Sequence, residues 1–419
     1  MKRYEVVANR SIDIPSAPKI KSKATAEIQT QPLQYNDVSL EPIEPESKST
    51  QTEKFATKPP SAKHVRINHS VIQLILTELA KCEQESGYFQ ELDAFHQNQT
   101  LQIDEMRVIT IEALEESPIN SVICGQGRVL AILCGEKNHS SWCLHTGKVL
   151  VVDRHQRNWT HLGSCPTIAT FADQEQLIVG TASGEIVLIF EGQILWSSAN
   201  IHLQTVTALI WLTSKHLFST GLDGRLNVLN LQGNSLESAQ SSSISVSDLP
   251  RAMKKSNSSS LKVGIVSATN NALNINSNNS VNEVFVATET GAILSVDAGN
   301  LETKTLGYEI EGIEQLRLNK DSFFSVSANK EAKLLERGGQ TIEWLGISGV
   351  NTMICRKDGL CILLTDKEIV GVRSNPSRIL MREPTTLVAI DFDRRGNIVG
   401  VDLHKGAIQL HWFQLSDYS

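Results

Sequence analysis

From about Arg107 to Ser419 the apolar positions come in short runs of Val, Ile, Leu and Phe, broken at short intervals by Gly, Asp, Asn or Ser. Brief β-branched runs bounded by turn formers predict strands rather than helices. The runs also repeat. Leu177-Ile178-Val179-Gly180-Thr181-Ala182-Ser183-Gly184-Glu185-Ile186-Val187-Leu188 aligns with Leu217-Phe218-Ser219-Thr220-Gly221-Leu222-Asp223-Gly224-Arg225-Leu226-Asn227-Val228. Each is a strand, a tight Gly turn and a second strand. The frame returns at Val284 with its turn at Gly291, and more weakly from Phe323, Leu360 and Asn397. An earlier copy from Arg128 carries a longer turn through Asn138 to Ser141. The last six copies start at 177, 217, 284, 323, 360 and 397, at intervals of 40, 67, 39, 37 and 37 residues. A Ser/Asn-rich stretch at 234–281, read as a low-complexity insertion forming a flexible loop, accounts for the long interval. A period near 40 with two strands and a Gly turn per unit predicts an all-β fold, a WD-repeat β-propeller; seven copies predict seven blades. A β-sandwich would keep no such super-period.

The propeller is expected to span 107–419. Its last copy has little chain after Ile408-Gln409-Leu410-His411-Trp412-Phe413 from which to build an outer strand. Arg107-Val108-Ile109-Thr110-Ile111, just ahead of the first copy, is therefore predicted to pair there and close the ring, which removes exposed sheet edges.

Upstream the pattern changes twice. Residues 64–95 read as helical. From Ser70, a suitable N-cap, the run places Val71, Ile72, Ile75, Leu76, Leu79 and Cys82 on one side of a short amphipathic helix. Alone, such a helix is marginal in water, so its apolar face calls for a partner or for the propeller itself. Residues 1–63 mix Pro, Lys, Glu, Ser, Thr and Gln with few large apolar side chains, and hold seven of the twelve Pro and no Gly. Such a stretch buries too little surface to offset its ordering entropy and is predicted to be a disordered arm.

Composition narrows the function classes. A net charge of -7 over 419 residues supplies no basic excess for a nucleic-acid surface. No apolar run approaches the roughly 20 residues of a membrane helix, and Met1-Lys2-Arg3-Tyr4-Glu5 opens no signal-peptide core. No membrane partner is expected. Seven scattered Cys (82, 124, 134, 143, 165, 355 and 361) suit reduced thiols in a cytoplasmic protein.

Catalytic and cofactor signals are weak. Cys134, His139, Cys143 and His145 lie close in sequence but lack a Cys-x-x-Cys knuckle, so they read as buried thiols and turn histidines, with no metal expected. Asp391-Phe392-Asp393-Arg394-Arg395-Gly396 mimics a calcium loop, yet Arg395 stands where an oxygen ligand is needed, and a polar turn between strands is the better reading. Gly147-Lys148 has no upstream glycine at phosphate-loop spacing. His202 and His216 are expected to tie turns to strands by hydrogen bonds. No nucleophile–base arrangement can be proposed, so neither an enzyme nor a cofactor is expected.

The arm carries the more informative motif. Lys48-Ser49-Thr50-Gln51-Thr52 has the form Lys-x-Thr-Gln-Thr and lies between Pro45 and Pro59. An extended segment with alternating Thr can add as a strand to an exposed sheet edge, backbone hydrogen bonds giving affinity and alternate side chains giving specificity. A weaker copy, Ile28-Gln29-Thr30, places its Gln 22 residues before Gln51.

The order of parts (an arm with Lys-x-Thr-Gln-Thr, a short amphipathic helix, a seven-bladed WD-repeat propeller) resembles the dynein intermediate chains. That resemblance implies a non-catalytic scaffold of a microtubule motor complex. Lys48 to Thr52 would bind the hub-type light chain, with Ile28 to Thr30 a second site. The face made by Val71, Ile72, Ile75, Leu76, Leu79 and Cys82 would bind the roadblock-type light chain. The propeller would sit on the dynein heavy-chain tail, and two arms threaded through one hub dimer would bring in a second intermediate chain. Residues 1–47 carry several Pro and no sustained heptads, unlike the N-terminal coiled coil of the cytoplasmic transport intermediate chains. The lack of a coil suits the dynein of retrograde intraflagellar transport, hence a cytoskeletal and ciliary location; axonemal intermediate chains are a second option. The blades also lack the usual Trp-Asp ending, with Leu188-Ile189-Phe190 and Val228-Leu229-Asn230 in its place. The rival reading is a WD-repeat adaptor of another complex, such as a trafficking coat or a ubiquitin-ligase substrate receptor.

Overall fold

The computed structural model describes Thr77 and residues 100–418, apart from 113–116, 126–128, 138–142, 154–155, 173–175, 250–260, 271–282, 320–321, 338–340, 357 and 375–376. The chain divides into two units, Met1–Ser86 and Gly87–Ser419, and the described strands all belong to the second. The arm, both docking motifs and the predicted helix face lie outside the described residues. Within 64–95 only Thr77 is described, helical and exposed.

Seven four-stranded antiparallel sheets follow one another along residues 100–418. Blades 1 to 6 occupy 119–162, 166–198, 206–243, 265–308, 313–344 and 350–384, each a simple up-and-down run from inner to outer strand. Each blade's inner strand neighbours that of the next, and the inner strand of blade 7 (Ala389–Phe392) neighbours that of blade 1 (Ile119–Cys124), so the sheets form a closed ring. The second strands begin at Leu177, His216, Glu283, Ser322, Leu360 and Ile398, within a residue of the repeat starts read from sequence.

Blade 7 is built from both ends of the ring. Its order is Ala389–Phe392, Ile398–His404, Ala407–Tyr418 and then Thr100–Glu112, which pairs antiparallel with Ala407–Tyr418 from Thr100↔Tyr418 to Glu112↔Ala407. The expected closure is present, and the closing strand starts earlier than expected, at Thr100 rather than Arg107. Leu101 packs among Leu360, Ile362 and Leu380 of blade 6, while Ile111 packs among Val122, Leu130 and Ile132 of blade 1.

The core is divided among the blade junctions. Each hydrophobic cluster joins two adjacent blades; Phe285 of blade 4, for instance, meets Phe323 of blade 5 edge to face at 5.1 Å. Apolar side chains therefore alternate towards both neighbours, and third strands such as Ile186–Phe190 are buried almost throughout.

Two local devices recur. First, the inner strands of blades 1 to 6 each slip register by one residue near their start, as between Val206 and Ala208. The extra residue turns its side chain towards the next blade: Asn120 donates to Pro166 O (2.8 Å), Thr167 to Val206 O (2.6 Å) and Thr207 to Ile265 O (2.8 Å). Second, the hairpin glycines Gly184, Gly224 and Gly291 have φ of 89°, 71° and 87°. A Cβ there would lie 2.6, 2.6 and 2.0 Å from the carbonyl oxygens of His202, Val263 and Glu309, in the connections to the next blade. Both the left-handed backbone and the passing chain require glycine.

The stretch 234–281 is not one insertion. Ser235–Ser243 is the outer strand of blade 3, paired with Arg225–Gln232, and Ile265–Asn270 is the inner strand of blade 4. Between them lie a 3₁₀ turn, Val246–Asp248, and a bridge from Ser245 to Lys262. An outer strand needs few apolar side chains because it faces solvent; in Ser235–Ser243 only Leu236 is buried. That polarity is what makes it read as low complexity.

Candidate interaction surfaces

Antiparallel order puts the turns between second and third strands on the same face of the ring as the connections between blades. Five of the thirteen exposed large apolar side chains among the described residues lie there, and most of the others lie on outer strands. Leu144 lies in such a turn, and Leu203, Leu261, Ile310 and Val388 lie in connections; Leu144 is 90% and Ile310 83% exposed. Single exposed apolar residues are ordinary; here successive turns and connections each present one on the same face, which makes it a candidate binding face.

The framework beneath that face is polar and buried. His202, fully buried in the connection to blade 3, places Nδ1 3.1 Å from Asp223 Oδ1 and Nε2 3.0 Å from Ser219 Oγ and 3.2 Å from Asn227 Nδ2. A carboxylate only accepts, so Nδ1 carries the proton, and Nε2 accepts from the Ser219 hydroxyl and the Asn227 amide. The other Asp223 oxygen accepts from the Leu203 N–H at 2.8 Å, holding the base of the exposed Leu203. His202 thus ties a turn to a strand, as expected. The His216 ring makes a shorter tie, from the start of its strand to the Thr213 hydroxyl of the preceding turn at 2.9 Å.

Burial pushes the Asp223 carboxyl up, but hydrogen bonds from His202 and from the Leu203 and Arg225 N–H groups outweigh it and hold the pKa below the ordinary value. A group depressed in the folded state stabilises above its unfolded pKa, and that contribution is lost as pH falls through the folded pKa. Asp391 works the other way. Its carboxyl accepts from the Cys124 N–H of blade 1 at 2.7 Å and from its own neighbour Phe392 N–H at 2.8 Å, yet burial raises it to about 6, so its contribution is present in acid and lost as pH rises through that value. Asp223→Asn is expected to lower stability at neutral pH by about 1–3 kcal/mol and to flatten the acid limb below about pH 4. Urea unfolding at several pH values checks this; an acid limb of unchanged slope would contradict it.

A second buried network lies in blade 5. Lys333 on the third strand, fully buried, directs Nζ to Glu311 Oε2 (2.6 Å) and Glu309 Oε1 (3.2 Å), and sits 3.8 Å from the centre of the Trp344 ring. Glu309 and Glu311 flank the exposed Ile310, so this ammonium anchors the connection that presents it.

The sulfur-bearing residues are rearranged relative to the sequence reading. The six described cysteines are unbridged. Cys134 is buried inside blade 1, where burial raises it to about 12, and His139 lies outside the described residues. Cys143 and His145 instead meet Cys165, from the connection between blades 1 and 2. The Cys165 N–H donates to Cys143 Sγ at 3.4 Å. Burial raises the Cys143 thiol, but that N–H, the Ser164 hydroxyl and neighbouring groups outweigh it and bring it to about 7, whereas burial raises Cys165 to about 11. The expected polar turn is present but begins at Asp393, since Asp391 and Phe392 end the inner strand; Asp393 Oδ1 accepts from the Arg395 N–H (2.8 Å) and the Asn397 N–H (2.9 Å).

No protein-family model matches the chain, and no curated protein matches it. Among solved structures, the crystal structure of the WD40 β-propeller domain of Doa1 is similar, with a TM-score of 0.52 over 74% of this chain and 97% of that one, at 12% sequence identity. Seven four-stranded blades closed by the strand Thr100–Glu112, together with that likeness, define a WD40-type β-propeller.

Proposed function

We propose that the chain is a scaffold subunit of a dynein motor, linking hub-type and roadblock-type light chains to the heavy-chain tail in ciliary retrograde intraflagellar transport. The observation that carries this reading is the order of parts: Lys48-Ser49-Thr50-Gln51-Thr52 in a Pro-rich stretch, then the apolar stripe of 71–82, then a seven-bladed ring. In this reading two arms thread one hub dimer. Individually weak strand additions then reinforce one another, because the second event is intramolecular and occurs at an effective concentration on the order of mM for a short flexible linker. The ring contributes a rigid platform, and the face bearing Leu203, Leu261 and Ile310 is the one assigned to the heavy-chain tail. The alternative, an adaptor of a trafficking coat or ubiquitin ligase, uses the same platform but has no use for the arm motif.

Binding of full-length protein to purified light chains tests the assignment. Gln51→Ala with Thr52→Ala is expected to weaken hub binding at least about tenfold, since two pocketed side chains worth about 1 kcal/mol each are lost. Ile75→Asp with Leu79→Asp is expected to abolish roadblock binding while the melting temperature of the ring stays put. Unchanged hub binding in a variant altered at Gln29, Gln51 and Thr52 together would overturn the arm assignment. If the Asp variant unfolds the ring, the helix belongs to the propeller instead.

A further inference from the structure

We propose that Cys143, His145 and Cys165 form a zinc site on the face of the ring that carries the blade-to-blade connections. Their ligand atoms, two Sγ and one imidazole nitrogen, all lie within 4.8 Å of one another. A tetrahedral centre with Zn–S of about 2.3 Å and Zn–N of about 2.0 Å needs ligand separations of roughly 3.5 Å, so closure takes a movement on the order of 1 Å. The side chains differ in their freedom to make it: Cys165 is buried, Cys143 half-buried and His145 exposed. Two thiolates and an imidazole select zinc over the hard cations magnesium and calcium.

The surroundings are those of a built site. The Cys165 N–H already points at Cys143 Sγ, the kind of outer contact that orients a thiolate ligand. Glu136 lies outside the three-residue cluster, with its carboxylate 4.0 Å from His145 Nε2, where it would orient the imidazole from outside the ligand set. Two glycines bring the turn and the connection together. A Cβ on Gly147 would sit 2.5 Å from Ser164 O and 2.3 Å from Pro166 Cδ, and one on Gly135 would sit 3.0 Å from Cys165 Sγ. Binding of Zn²⁺ would release one proton from each thiol to solvent and leave a neutral bis-thiolate centre with imidazole as third ligand and the fourth place open to a water. The chelate would fasten the second-to-third-strand turn of blade 1 to the entry of blade 2. Leu144, between the two turn ligands and almost fully exposed, would then be held in one orientation.

The test uses the full chain, reduced and stripped of metal, titrated with Zn²⁺ against a chromophoric chelator and separately with Co²⁺. One equivalent of zinc is expected, and cobalt is expected to give thiolate charge-transfer bands. Cys143→Ser, Cys165→Ser and His145→Gln should each weaken zinc binding by more than about tenfold, whereas Cys355→Ser should leave it unchanged. Because Cys165 is buried, the deciding variants are Cys143→Ser and His145→Gln, whose metal-free melting temperatures should match the parent. Failure of the parent to hold zinc against the chelator, cobalt spectra without thiolate bands, or parent-like affinity in those two variants would overturn the site.

Discussion

Deleting residues 1–112 is expected to leave a chain that no longer folds cooperatively, whereas deleting residues 1–99 is expected to leave the stability of the ring unchanged. Both deletions remove the arm and the predicted helix; they differ by the strand Thr100–Glu112, which is the outer strand of blade 7. Without it, Ala407–Tyr418 becomes an unpaired edge. Leu101 and Ile111 also leave the junctions with blades 6 and 1. Burial of those two side chains is worth about 4–5 kcal/mol together, before any ladder hydrogen bond is counted. Domains of ordinary stability hold about 5–15 kcal/mol, so this loss, with the ladder hydrogen bonds added to it, removes a large part or all of the margin, and the bared edge invites aggregation. Circular-dichroism melts and size-exclusion profiles of the two truncations decide the matter. Equal melting temperatures would mean that the ring does not depend on its closing strand.

Replacing Lys333 by Met is expected to cost about 3–5 kcal/mol, the range for removing one partner from a buried ion pair. The change keeps the bulk of the side chain but takes away the ammonium that Glu309 and Glu311 share and that lies over Trp344. What remains is carboxylate charge held close to the core at the blade 4–5 connection. The double variant Lys333→Met with Glu309→Gln should recover much of the loss, because the cost comes from uncompensated charge rather than missing volume. Urea unfolding reads this as a lowered midpoint at constant slope. A midpoint shift below about 1 kcal/mol equivalent would place Lys333 with ordinary surface pairs instead.

These two residues sets were unequally visible in the amino-acid pattern. The hairpins stood out because their second and third strands are buried on both sides and keep a Gly turn at fixed spacing, as in Leu177 to Leu188 and Leu217 to Val228. Ring closure followed from the period and from the shortage of chain after Phe413. Outer strands were the weak point: Ser235–Ser243 faces solvent, so nothing in its polarity distinguishes it from a loop. Lys333 was invisible for the opposite reason, since a Lys within a strand reads as solvent-facing and its carboxylates lie 24 and 22 residues upstream. Nothing in the sequence marks Cys165 as a companion of Cys143, because it is 22 residues away and belongs to the next blade's entry. His202 was legible as a tie, but its partners Asp223, Ser219 and Asn227 needed the fold to bring them together. The arm motifs and the helix face, which carry most of the proposed function, rest on sequence, since they lie outside the described residues.

The identity of the complex is tested most directly by purifying the tagged full-length chain from its own cells under native conditions and identifying its stoichiometric companions by mass spectrometry. The account predicts a dynein heavy chain, hub-type and roadblock-type light chains and a second intermediate chain, with the hub light chain absent when Gln29, Gln51 and Thr52 are replaced by Ala. Recovery of coat or ubiquitin-ligase subunits at stoichiometric levels, with no dynein component, would contradict it.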